Sequence, residues 1–235
     1  MDIAATNKNI LRSIADSGRC RGCPLAGKTR VGMDASGNEP GERPILFIGL
    51  NPGREEAEKG LPFVGKAGRF LRQCMADAGY GENPGWAMIN SILCSTSNES
   101  AIPNVEACQK HCHANVAAYV IMLRPKIIAP CGNGASAIFG LGSGITANAK
   151  RSFISRGPAG KASPVLVLPL VHPSSLIRNG GKSAPGYADF MKRLREILEA
   201  ATTFDPAEPD SIPAGCATLF GQHRAQDSHA HKTAQ

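Results

Sequence analysis

The chain lacks any apolar run near the roughly 20 residues a membrane-spanning helix needs. Its opening, MDIAATNKNILRSIADSG, lacks a charged segment leading into an apolar stretch, so no secretory signal is visible and a cytoplasmic location is expected. There is no internal repeat, and 235 residues suit one domain with a sizeable core better than two. Acidic residues are scarce beside basic ones, 19 against 26, and the resulting net charge of +7 permits a polyanionic partner without requiring one. Eight cysteines without an export signal do not point to a disulfide framework, because the cytosol keeps thiols reduced. Metal ligation and plain burial remain.

What is present is an alternation of apolar runs and amphipathic stretches. Residues 6–17 form a helix with Ile10, Leu11 and Ile14 on one face, and Cys20-Arg-Gly-Cys23-Pro then opens an irregular stretch up to Pro44. The run 44–50 has strand length and stops at Asn51-Pro52-Gly53, a turn signal. Helical spacing of Ala67, Phe70, Leu71, Cys74, Met75 and Ala78 follows over 66–79. Further strands are expected at 86–93, 126–131 and 164–171, and further helices at 104–123, 133–139 and 185–200. Four apolar strands alternating with helices predict an α/β fold, a three-layer α/β/α arrangement around a central four-stranded, mostly parallel sheet. Ligands of such sheets bind at the carboxyl ends of the strands. From Thr202 the composition turns to Asp, Pro, Ala, Gly and His, so the folded domain is expected over 1–202 and a disordered tail over 203–235.

The loop after the first strand reads Gly49-Leu50-Asn51-Pro52-Gly53 and runs through Glu56 to Gly60, Pro62-Phe63-Val64-Gly65 and Gly68. Any one of these residues is explained by a turn before a helix. Asn90 falls on, and His172-Pro173-Ser174-Ser175-Leu176 after, the other strands, at the same expected sheet edge. The frame G-x-x-P-G-x-x-E-x-x-x-G-x-P-F-V-G-x-A-G, an Asn four residues before a Cys, and H-P-S-x-L together resemble the family 4 uracil-DNA glycosylases over about residues 18–200.

That resemblance implies hydrolysis of the N-glycosidic bond of uracil, or another deaminated base, in DNA, to leave an abasic site for base excision repair. It implies that His172 hydrogen-bonds the charge developing on uracil O2, that Asn90 reads the base edge and that Phe63 stacks on the extruded base. It also implies base contact at Gly49, an apolar wedge at Leu176, and phosphate contacts from Ser174, Arg178 and Lys182. The bland alternatives are core packing for Phe63, a strand-end hydrogen bond for Asn90 and a solvated surface for the basic residues. The chain departs from family 4 at Leu50 and Asn51, where an acid and an Ala are usual. G-L-N-P-G is similar to the mismatch-specific and single-strand-selective branches, in which this Asn orients the hydrolytic water. Asparagine positions water rather than deprotonating it. Glu56 matches a family acid and either assists catalysis or braces the loop.

Cys20, Cys23, Cys94 and Cys108 match the family's four ligands to a four-iron–four-sulfur (4Fe-4S) cluster. The spacing suits a structural zinc equally well, and Cys112, one turn beyond Cys108, is a rival ligand. Cys74 and Cys131 lie in apolar runs as buried thiols. The segment 95–107 is shorter and less basic than the family's Arg-Pro-Pro stretch and holds no histidine, which argues against covalent trapping of DNA. Two other functions are open: a catalytically weak uracil-DNA or abasic-site binder, and a dinucleotide-binding protein suggested by Gly132-x-Gly134-x-x-Ala137. The latter lacks the acidic residue expected about 20 positions on. A monomer is expected, with DNA as partner. In the tail, Ala217-Thr218-Leu219-Phe220 ends like the Leu-Phe pair of sliding-clamp-binding peptides, making the clamp a second candidate partner.

Overall fold

Every residue of the run Ile45–Gly49 is buried in the computed structural model, which describes residues 3–36, 44–81, 84–155, 164–208 and 211–219. The strands among the described residues are β1 (Asp34–Ala35), β2 (Ile45–Gly49), β3 (Trp86–Asn90), β4 (Ile127–Pro130), β5 (Phe153–Ser155), β6 (Val165–Val167) and β7 (Ala217–Leu219). They form one sheet in the order β1-β3-β2-β4-β6-β5-β7. The four strands expected from apolar runs are its centre, β3-β2-β4-β6, all mutually parallel. Beyond that expectation, β1 joins antiparallel to β3, β5 antiparallel to β6, and β7 parallel to β5. These edge strands hold only two or three residues each, too few for a readable period.

The helices are α1 (Ile3–Asp16), α2 (Arg54–Lys59), α3 (Lys66–Ala78), α4 (Val105–Leu123), α5 (Gly132–Ser136), α6 (Ile145–Asn148), α7 (Pro173–Arg178) and α8 (Tyr187–Thr203). Successive strand side chains point to opposite faces, so one central strand feeds two cores. Ile45 and Phe47 pack with Leu71 and Met75 of α3 and with Phe190, Leu194 and Ile197 of α8. Leu46 and Ile48 pack with Ile14 of α1, Val116 and Tyr119 of α4, and Ala135 of α5. The result is the expected three layers, with strands apolar on both faces because both are covered. No helix among the described residues is long and apolar enough to cross a membrane.

The boundary at 202 needs correction. Phe204 is 1% exposed within the α3–α8 core, Ile212 and Cys216 pack against that core, and Ala217–Leu219 pairs with β5. The folded unit therefore continues through Leu219. Its burial rests on contacts with residues far back in the chain, which local composition does not report. Phe220 and the rest of the tail lie outside the described residues.

Candidate active site

The site is built where the parallel strands end. Strands β2 and β3 run in register to Gly49 opposite Asn90, and past them the pairing continues irregularly. Ser91 N–H donates to Gly49 O, Ile92 N–H to Leu50 O and Thr96 N–H to Pro52 O, at 2.8, 2.8 and 3.1 Å. The loop after β3 is thereby laced to the Asn51-Pro52-Gly53 turn. Asn51 gives its side-chain Nδ2 to Pro52 O (3.1 Å) and Thr96 Oγ1 (2.7 Å), and the Thr96 hydroxyl donates to Asn98 O at 2.7 Å.

Glu56 is a staple across the motif. Its Oε2 accepts from Gly53 N–H (3.1 Å), closing a capping box at the start of α2, and its Oε1 accepts from Gly65 N–H (2.8 Å) at the start of α3. Between the two helices, Phe63 adopts φ +56°, a left-handed conformation costing a non-glycine residue about 1–2 kcal/mol. Arg72 from α3 holds it there. Nε donates to Phe63 O (3.0 Å) and Nη2 to Pro62 O (3.2 Å), while the guanidinium pairs with Asp34 and lies 5.1 Å from the centre of the Trp86 ring. The Phe63 ring then lies over Gly49, where a Cβ would stand 2.9 Å from Cζ and would strike Asn90 Oδ1. Only glycine at 49 leaves room for both.

His172 is the N-cap of α7. Ser174 N–H donates to its Nδ1 at 3.2 Å, and Ser174 Oγ is 2.6 Å from the same nitrogen. A ring nitrogen accepting from a backbone N–H carries no proton, so the donor of this imidazole is Nε2. Behind it, Gly132 sits at φ +85°, and a Cβ there would lie 2.9 Å from His172 Cβ. A Cβ on Gly134 would lie 2.8–3.2 Å from the Leu50 side chain. The Gly-x-Gly that resembles a nucleotide fingerprint makes space here for His172 and Leu50.

Gly49, Asn51, Glu56, Phe63, Asn90 and His172 thus line one cleft of about 560 Å³, rimmed by Arg54 and Lys66. Sequence reasoning missed Thr96 and its neighbour Ser97, which also faces the cleft, because nothing in their local pattern marks them. On the rim, the guanidinium of Arg69 holds the exposed Glu55 carboxyl below its ordinary range. Arg178 is exposed, with Nη1 3.4 Å from Ser174 Oγ, and Lys182 is paired with Asp77 at 2.6 Å. Leu176, the expected wedge, is 4% exposed and packs in the core shared with α3 and α8. In the sequence it stands four residues past His172, and on α7 it faces inward.

Cys20, Cys23, Cys94, Cys108 and Cys112 gather on the opposite face of the sheet, in the core with α1 and α4. Negative charge on Cys20, Cys23 or Cys108 would disfavour a thiolate at Cys94, and burial raises the Cys108 thiol as well. Burial pushes the Cys94 thiol up to about 11 and the Cys112 thiol up to about 12. Among the described residues no three His, Cys, Asp or Glu side chains form a site for a single metal ion. Thiolates are the ligands of both iron–sulfur and zinc centres, so these cysteines offer donor chemistry of that kind.

The sequence pattern of the uracil DNA glycosylase superfamily matches residues 37–199. The chain is 29% identical over 187 residues to a type-4 uracil-DNA glycosylase of Thermotoga maritima, covering 79% of this chain and 89% of that protein. It is 33% identical over 129 residues to one from Archaeoglobus fulgidus, covering 54% and 60% respectively. A third, from Sulfurisphaera tokodaii, is 28% identical over 160 residues, 65% of this chain and 69% of that protein. A match over more than half the chain, coinciding with the cleft-lining residues, is decisive: the chain belongs to the uracil DNA glycosylase superfamily.

Proposed function

We propose that this protein hydrolyses the N-glycosidic bond of uracil, or a related deaminated base, in DNA and so begins base excision repair. The observation that carries the reading is the gathering of Gly49, Asn51, Phe63, Asn90 and His172 in one cleft at the ends of the parallel strands. Similarity to three type-4 uracil-DNA glycosylases supports it.

The extruded base stacks on Phe63, and the Asn90 amide meets its edge with one donor and one acceptor. His172 Nε2–H donates to uracil O2 as the bond from C1′ to N1 lengthens. The bonding pair leaves with the base as an anion, which a preorganised donor stabilises far better than water does. A water held by Asn51 forms the new bond to C1′, and its proton passes to solvent, since an amide is no base. Glu56, with both oxygens committed to Gly53 and Gly65, acts in this reading as the brace of the loop and not as the acid. Arg178 and Ser174 contact phosphate near the site. A monomer is the assembly proposed for this reading.

Cys20, Cys23, Cys94 and Cys108 hold a four-iron–four-sulfur cluster in this reading, with zinc as the alternative group. Bound there, it supplies a cross-link among the 20–31 loop, the loop after β3 and α4. Docking of Leu219-Phe220 on a sliding clamp is a further proposal, and it requires Ala217–Leu219 to leave β5.

The test is incubation with oligonucleotides bearing a single U, T·G pair, hypoxanthine or xanthine, followed by alkaline cleavage of abasic sites. Cleavage at uracil is expected, and His172→Ala should slow the single-turnover rate by about a hundredfold or more. Tight binding without cleavage on any substrate would establish the catalytically weak binding protein instead.

A further inference from the structure

We propose that Thr96 is a positioning residue for the hydrolytic step, holding the Asn51 amide so that its oxygen faces the cleft. The inference rests on the reading of Asn51 as the residue that holds the water.

Two partners fix which way the amide points. Pro52 O, 3.1 Å from Asn51 Nδ2, has no proton to give, so only the nitrogen is tolerated beside it. Thr96 Oγ1, 2.7 Å from the same nitrogen, spends its own hydrogen on Asn98 O and therefore meets Asn51 as an acceptor. Both Nδ2 hydrogens are thus committed, and Oδ1 is the amide atom left for the cleft that Asn51 lines. Turning the amide over would set two bare oxygens against each other at Pro52 and force the Thr96 hydroxyl away from Asn98.

The orientation matters because the nucleophile must keep a lone pair for C1′. An acceptor such as Oδ1 engages one of the water's hydrogens and leaves that lone pair free. A donor such as Nδ2 would instead draw on one of the water's two lone pairs and make the oxygen a poorer nucleophile. A neutral amide contributes little proton-accepting power, so nearly all of its catalytic value lies in being the right way round. Thr96 is itself well held: its N–H donates to Pro52 O, and the preceding Ser95 N–H donates to Thr29 O. The latter bond ties this loop to the chain segment that follows Cys20 and Cys23.

Single-turnover kinetics on uracil-DNA test the idea with Thr96→Val, which keeps the shape and loses the acceptor, and Thr96→Ser, which keeps the hydroxyl. Thr96→Val should lower the rate about tenfold, with affinity for abasic DNA unchanged to within about twofold, and Thr96→Ser should restore the rate. In an Asn51→Ala background, adding Thr96→Val should cost nothing further, because residues acting through one another are not additive. A fast Thr96→Val beside a slow Asn51→Ala would overturn the role of Thr96 and leave that of Asn51 standing. A fully active Asn51→Ala would overturn the reading beneath both. Additive losses in the double variant, or a Thr96→Ser as slow as Thr96→Val, would likewise overturn the proposal.

Discussion

Gly132 stands directly behind His172: a Cβ on the glycine would lie 2.9 Å from the histidine Cβ, on a backbone at φ +85°. The alanine variant must therefore adopt a left-handed conformation and push on the ring that faces the cleft. Gly132→Ala should lose about 1–2 kcal/mol of stability. It should also slow single-turnover cleavage by about tenfold or more, since small misplacements of a catalytic group are costly. Calorimetry and quench-flow on the same sample check both, and unchanged kinetics would show that His172 does not depend on the space Gly132 leaves.

Glu56 is read as a brace because each of its oxygens accepts from a backbone N–H. Glu56→Gln offers one acceptor and one amide group, so either Gly53 or Gly65 loses its partner. A stability loss of about 1–3 kcal/mol is expected, with slower cleavage but an unaltered shape of the rate–pH profile. A profile that loses its acid limb in the variant, with stability unchanged, would instead make Glu56 a general base.

Arg72 keeps Phe63 in its left-handed conformation through bonds to Phe63 O and Pro62 O. Arg72→Ala should let residue 63 relax and withdraw the ring from Gly49. We expect KM for uracil-DNA to rise several-fold, about 1 kcal/mol of stacking, more than kcat falls. Fluorescence of a 2-aminopurine placed beside the lesion reports the loss of base stacking.

The cysteine group predicts a coloured protein. Purified without oxygen it should be brown and contain about four iron atoms per chain, and Cys94→Ser or Cys108→Ser should lose colour and solubility together. Cys112→Ser should keep the colour if Cys108 is the fourth ligand. Metal analysis by mass spectrometry distinguishes this from a colourless protein holding one zinc.

Phe204 lies beyond the boundary that composition suggests yet is 1% exposed. Phe204→Ala should cost about 3–5 kcal/mol, as large aromatic truncations in cores do. Ending the chain at residue 202 should cost at least as much, measured by urea denaturation. A truncated protein as stable as the full chain would return 203–219 to the status of a tail.

The amino-acid sequence by itself determined the central sheet and the strand-end residues of the cleft. A strand buried on both faces must be apolar throughout, so 44–50, 86–93, 126–131 and 164–171 stand out, with Asn51-Pro52, Gly132 and His172 just after three of them and Asn90 within the fourth. The tertiary structure alone decided how those ends are held. Thr96 meets Asn51 across 45 positions and Arg72 reaches Asp34 across 38, and bonds of that span leave no local period or composition behind. The same reason separates Leu176 from the residues around it: its wedge-like place in the motif is visible in the chain, but its burial follows from α7 lying on α3. Phe204 owes its burial to the core with α3 and α8, and β7 owes its place to β5 at the edge of the sheet, contacts with residues far back in the chain.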